Sequence, residues 1–400
     1  MCRDELIIYG VQFIALFALV LYLEHKLQYT RLSLRSVSLL FWSSVCLAAF
    51  SAYLAELDSR KYLRDSILLM SFLEKDPRMY GLFFLSGGNS LYPESYFPML
   101  IASNTWSNYT SYTIEKFYLF FSLISKPNLY NVSLFFGALS FVSKSLLIRS
   151  FQLLDQDSFK LKLIYAFLLI GGLEVFFISG VYKENLLFFF LSFIVYTYYS
   201  RPCVWKYIIA FLCLLNAVFL RLDTMIIVML ILTVLFLFFK YRYWGLWRYL
   251  IIILSSTLSL FCLYCLNYKD YAIGKLNRYA NLKPGNTHFD PIDWNNDAIN
   301  LCGQILLRWR QAFYSIYTTT DYLYIVSIVN GLSVIFIGVL LYYQSIKWHK
   351  LTLVTVSVFI AFMLTLSLFI PNYNALLRYK SPLFVFMIFG LILNIRKNTI

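Results

Sequence analysis

The chain has 400 residues, of which 60% are hydrophobic, 20% aromatic and only 14% charged. Soluble chains run nearer to about 45–50% apolar and about 25% charged, so a soluble enzyme, a secreted disulfide scaffold and a disordered tail are all excluded. The net charge of +14 fits the basic inner loops of a membrane protein better than a nucleic-acid surface, and no nucleic-acid partner is expected.

The fold class that remains is all-α, a polytopic integral membrane protein. The apolar stretches are continuous rather than alternating, which argues against a transmembrane β-barrel. A helix crosses the bilayer with about 20 apolar residues. Eleven such runs are predicted, at 6–23, 37–55, 129–148, 161–179, 185–200, 207–220, 224–239, 250–266, 322–343, 351–370 and 381–395. The first follows Asp4 and Glu5 and lacks a small-residue cleavage site, so it reads as a retained helix. The segments 24–36, 149–162, 201–206, 240–249, 344–350 and 396–400 carry fifteen Lys and Arg, whereas 180–184, 221–223 and 371–380 carry four. Among the acidic residues only Glu24, Asp155 and Asp157 fall in the first set. The positive-inside rule then places the N-terminus outside and the C-terminus in the cytoplasm.

Residues 1–400 thus read as one transmembrane domain with two long outer loops, about 56–128 and 267–321. The first loop contains amphipathic segments at 61–73 and 112–125, the second one at 301–317 with Arg308-Trp309-Arg310. These are predicted as helices lying in the interface with aromatic and Leu side chains down. The seven cysteines form no disulfide framework, and Cys262-Leu-Tyr-Cys265 lies mid-span without nearby charge, as inert packing residues do.

No phosphate-binding loop, zinc motif, nucleophile elbow or dinucleotide fingerprint is present. Chemistry must therefore come from charges placed against the membrane, which are costly there and mark function. Just past the second span lie Glu56, Asp58, Arg60, Lys61, Tyr62, Arg64 and Asp65, with Asp58, Tyr62 and Asp65 on one helical face. A carboxylate at the bilayer edge can deprotonate a sugar hydroxyl while Arg and Lys hold a lipid phosphate; a helix cap laced with salt bridges is the competing reading. The turn Ser179-Gly180-Val181-Tyr182-Lys183-Glu184-Asn185 carries a Lys-Glu pair that a short loop does not need, with Glu174 one or two turns deeper. Arg221-Leu-Asp223 forms another tight outer turn, and Arg378 and Lys380, before the last span, break the positive-inside trend. Either an anionic partner or simple ion pairing explains both. Lys144, inside the third span, is expected to snorkel to the inner face. His288, Asp290, Asp293 and Asp297 suggest a metal, but no spacing enforces one, and neither metal nor cofactor is expected.

This layout resembles that of the Wzy/EpsG-type polysaccharide polymerases of bacterial envelopes. Asp58-Ser-Arg-Lys-Tyr62 resembles their outer Asp-x-x-x-Tyr segment, and Ser179-Gly180-Val181-Tyr182-Lys183 their Ser-Gly-x-Arg turn, with Tyr182 at the Arg position. Arg378-Tyr379 resembles their late Arg, whereas Tyr53-Leu-Ala-Glu56 stands where the family carries Gly-x-Arg. The resemblance implies a cytoplasmic (inner) membrane enzyme that polymerises undecaprenyl-diphosphate-linked oligosaccharide repeats, with membrane lipid and a chain-length regulator as further partners. In that picture Asp58 is the general base, with Asp65 and Glu184 as further catalytic candidates. Tyr62, Lys183, Arg221, Arg378, Lys380, Arg308 and Arg310 would bind substrate, the cations offsetting charge on the diphosphate. The chain also resembles GT-C membrane glycosyltransferases, where Asp58 or Asp65 would serve as the outer-loop Asp. A lipid-oligosaccharide flippase is the non-enzymatic alternative.

Overall fold

The computed structural model describes residues 3–27, 30–54, 57–78, 109–124, 128–220, 297–314, 336–345, 347–369 and 373–396. Within them the regular structure is helical, apart from an isolated bridge between Gln344 and Ile395. The helices are α1 (Arg3–Leu27), α2 (Leu34–Tyr53), α3 (Leu57–Lys75), α4 (Tyr109–Ile124), α5 (Leu129–Leu154), α6 (Ser158–Ile170), α7 (Gly172–Ser179), α8 (Lys183–Tyr199), α9 (Val204–Leu220), α10 (Ala298–Tyr314), α11 (Lys350–Phe369) and α12 (Tyr373–Leu393). Their starts follow local chemistry. Ser33, Asn128 and Asp157 cap α2, α5 and α6, each accepting from a backbone N–H of the first turn. Hydroxyls inside the apolar helices bond their own backbone, as Ser44 does to Leu40, Ser143 to Leu139 and Ser150 to Leu146. That local bond removes the cost of carrying a polar group into lipid.

Four of these helices are long and apolar enough to cross a membrane: α1, α2, α5 and α12. The pair α6–α7 makes a fifth if counted as one span, and α9 and α11 contain shorter apolar stretches. The chain therefore has the make-up of a multi-pass helical membrane protein. Two of the eleven expected spans, 224–239 and 250–266, and most of a third, 322–343, lie outside the described residues.

The expected straight span at 161–179 is instead broken by 70° between α6 and α7. The reason is local. Gly172 has φ 75°, a left-handed conformation that costs other residues about 1–2 kcal/mol. A Cβ on Gly171 would run into the Phe167 carbonyl and the Phe167 and Val175 side chains.

The chain divides into two compact units, one of residues 1–171 with 175–222, the other of 172–174 with 223–400. In the first, α5 is the central element. It packs along α2 and α8, while α8 also meets α9, and α3 pairs with α4. Gly137 of α5 lies so near α2 that a Cβ there would sit 2.7 Å from the Val45 Cα. Lipid tails are as apolar as Leu, so such close backbone approach, rather than escape from water, holds the helices together. Phe41 is fully buried between the rings of Phe17 and Phe141, both 5.5 Å away. In the second unit α11 packs along α12, and Thr352 donates a 2.7 Å bond to the Gly390 carbonyl. The Trp309 indole N–H ties α10 to the Leu364 carbonyl of α11 at 3.0 Å.

The amphipathic segments are helical as expected, and each also carries a buried polar side chain. On α3 the buried side carries Tyr62, Asp65 and Ser66, while Ile67 is exposed. On α10 Arg308 is buried and Leu306 and Leu307 are exposed. Asp65 and Arg308 are thus turned into the protein, whereas Arg60, Arg64 and Arg310 are exposed.

Candidate functional site

Lys183 at the start of α8 and Tyr62 of α3, far apart in the chain, meet in the first unit. The Lys183 ammonium sits 5.4 Å from the centre of the Tyr62 ring, over its face. Both residues are nearly inaccessible, at 5% and 6% exposure, and a desolvated cation over an aromatic face is worth about 2 kcal/mol. Tyr62 in turn makes an edge contact with Tyr118 of α4, ring centres 6.0 Å apart.

The turn that delivers Lys183 is buried from Ser179 to Phe188. In lipid or protein interior each backbone polar group needs a partner, and here several helices supply them. The Ser51 hydroxyl of α2 accepts from the Val181 N–H at 2.9 Å. The Tyr118 hydroxyl donates to the Val181 carbonyl at 2.8 Å. The Asn185 amide donates to the carbonyls of Gly180 and of Phe136 on α5, at 3.0 and 2.9 Å. Beneath the turn Ser140 donates to Ser179 at 3.1 Å.

Buried carboxylates stand on the same helices. Asp65 lies one turn beyond Tyr62 on α3 and is fully buried, paired with the exposed Arg64 at 3.4 Å. Glu115 lies one turn before Tyr118 on α4, also fully buried, and Glu184 follows Lys183 at 1% exposure. On α4 the half-buried Lys116 is held below its ordinary ammonium pKa by desolvation. Among the described residues no group of three His, Cys, Asp or Glu side chains is placed to hold a metal ion. The first unit thus carries buried acids and phenols on the helices next to the braced turn of Lys183. Such a set can hold an anion and accept a proton from a hydroxyl.

The other expected site residues divide as follows. The Asp58 backbone is in the first turn of α3, but its side chain lies outside the described residues, as does all of Arg221. His288, Asp290, Asp293, Cys262 and Cys265 are outside them too, while Asp297 is described and exposed. Arg308, Arg378 and Lys380 belong to the second unit. Arg308 is 2% exposed, Arg310 is exposed, and Arg378 lies over the Tyr379 ring at 5.6 Å. Lys380 is 3.3 Å from Glu174 and 5.5 Å from the Phe384 ring centre. Its charge is therefore already matched by a buried carboxylate rather than held open for a diphosphate. Lys144 does not snorkel. It is fully buried and donates a 3.0 Å bond to the Ser44 hydroxyl of α2.

Glu115, Tyr118 and Ser51 were not among the expected site residues. Glu115 left a signal, as a carboxylate in an apolar amphipathic stretch, whereas Tyr118 is one of 33 tyrosines and Ser51 resembles any span serine.

No family model, curated protein or solved structure matches the chain.

Proposed function

We propose that the protein is a membrane glycosyltransferase that joins lipid-linked oligosaccharide repeat units at the outer face of the cytoplasmic membrane. The observation that carries the reading is the meeting of Lys183 with Tyr62, which belong to two of the sequence motifs that resemble the polymerases. Lys183 would hold the diphosphate of the undecaprenyl carrier and offset the charge that develops as the sugar–phosphate bond breaks. Asp58, on the same helix as Tyr62, would take the proton of the acceptor hydroxyl, a poor nucleophile without a base. Asp65 and Glu184 would shape the field around both.

In cells, Lys183→Met and Asp58→Asn should each leave only single-repeat glycolipid on a gel, with the protein still present in the membrane. Long-chain polymer at the normal level in both variants rejects the reading. A transferase that adds one sugar from a polyprenyl-phosphate donor would be distinguished by product length.

A second reading, a lipid-oligosaccharide flippase, draws support from the broken span at Gly171 with Glu174 in the first turn of α7, because transporters place discontinuous helices and charges within the membrane. A deletion strain that accumulates complete repeat units on the inner leaflet would favour it.

A further inference from the structure

We infer that Tyr118 is a positioning residue that fixes Lys183 for its anionic substrate, an inference that rests on the function proposed above. Tyr118 is fully buried and touches both sides of the site. Its ring edge meets Tyr62, over whose face Lys183 lies, and its far side packs on Phe136 at 5.3 Å. Its hydroxyl donates to the Val181 carbonyl, two residues before Lys183. Val181 is thereby clamped from both ends, since its N–H already donates to Ser51. A turn held only by its own backbone would leave the Lys183 ammonium free to sample many rotamers. Clamping Val181 fixes the backbone from which Lys183 departs, and the Tyr62 ring under its ammonium restricts where the side chain can go, as a preorganised site requires. The hydroxyl of Tyr118 thus contributes through Lys183 rather than by touching substrate.

The purified full-length protein in detergent tests this with undecaprenyl diphosphate as the probe, binding being read by a thermal-shift titration. Tyr118→Phe keeps both ring contacts and removes only the hydroxyl. It should weaken binding about tenfold, the worth of one hydrogen bond. Ser51→Ala, which frees the other end of Val181, should do the same. In Lys183→Met the added Tyr118→Phe change should weaken binding no further, because residues acting through one group are not additive. Additive losses would overturn the inference, since they would mean that Tyr118 acts apart from Lys183. If the wild-type protein does not bind the probe, the functional reading fails and a second measurement decides on Tyr118. A cysteine at 183 (Lys183→Cys) is labelled with maleimide and read at that position by peptide mass spectrometry. Adding Tyr118→Phe should raise its labelling rate severalfold, and an unchanged rate would overturn the clamp.

Discussion

A lysine deep in a span normally reaches for the membrane surface or pairs with an acid. Lys144 does neither, and among the described residues its partner is the Ser44 hydroxyl. The energetics are asymmetric. Removing the hydroxyl strands a buried ammonium, whereas replacing the lysine by an apolar residue of similar length removes the problem. Ser44→Ala should therefore cost about 1–3 kcal/mol, while Lys144→Met should leave stability unchanged or raise it. Combining the two should recover most of the loss. Chemical unfolding in detergent micelles, compared across the three variants, checks the order; a Lys144→Met protein less stable than Ser44→Ala would contradict it. The sequence marked Lys144 as a charge within a span but placed its head at the inner face. The error is physical: whether a lysine snorkels depends on what the next helix offers at the same depth, and the register of α2 against α5 is a property of packing, not of either helix alone.

At the scale of elements, helix positions were legible and helix orientations were not. The apolar periodicity located α1, α2, α5 and α12, and the amphipathic pattern located α3, α4 and α10. Periodicity reports that a helix has two faces, but in a membrane protein the polar face turns inward as readily as out. That is why Asp65 and Arg308 lie on the expected helices while their burial was not legible from the pattern. The break at Gly171-Gly172 was similarly hidden, since a glycine pair in an apolar run looks like any packing site until its φ is known. Glycines nevertheless allow a sharp test of the element packing. Gly137→Ala would push a methyl into the α2 backbone at Val45, where no flexible side chain can give way, so it should lower the thermal unfolding midpoint. Gly303→Ala in α10 meets nothing within 4 Å and should be neutral or stabilising by about 0.5–1 kcal/mol, the usual gain from Ala in a helix. Equal behaviour of the two variants in a thermal melt would show that α2 and α5 do not approach as closely as described.

For the whole chain the open quantity is sidedness, and the first unit limits it. The Gln152 amide near the end of α5 bonds the Thr30 carbonyl in the α1–α2 connection at 2.5 Å, so these two connections lie on one side. Ser51 at the end of α2, Tyr118 of α4 and the turn at Val181 meet on the other. This alternation agrees with the charge count, in which 24–36 and 149–162 are rich in Lys and Arg and 180–184 is not. Geometry thus divides the connections into two sets, and the positive-inside rule supplies only the sign. Native cysteines can read that sign. Cys203 is exposed in the connection between α8 and α9, on the expected cytoplasmic side, and Cys302 is exposed on α10, in the expected outer loop. A membrane-impermeant maleimide added to right-side-out vesicles should label Cys302 and spare Cys203, and Cys203 should react once the vesicles are opened. Labelling of Cys203 in sealed vesicles would invert the topology, putting Lys183 and Tyr62 on the cytoplasmic side, where an enzyme acting on the outer leaflet cannot keep its site.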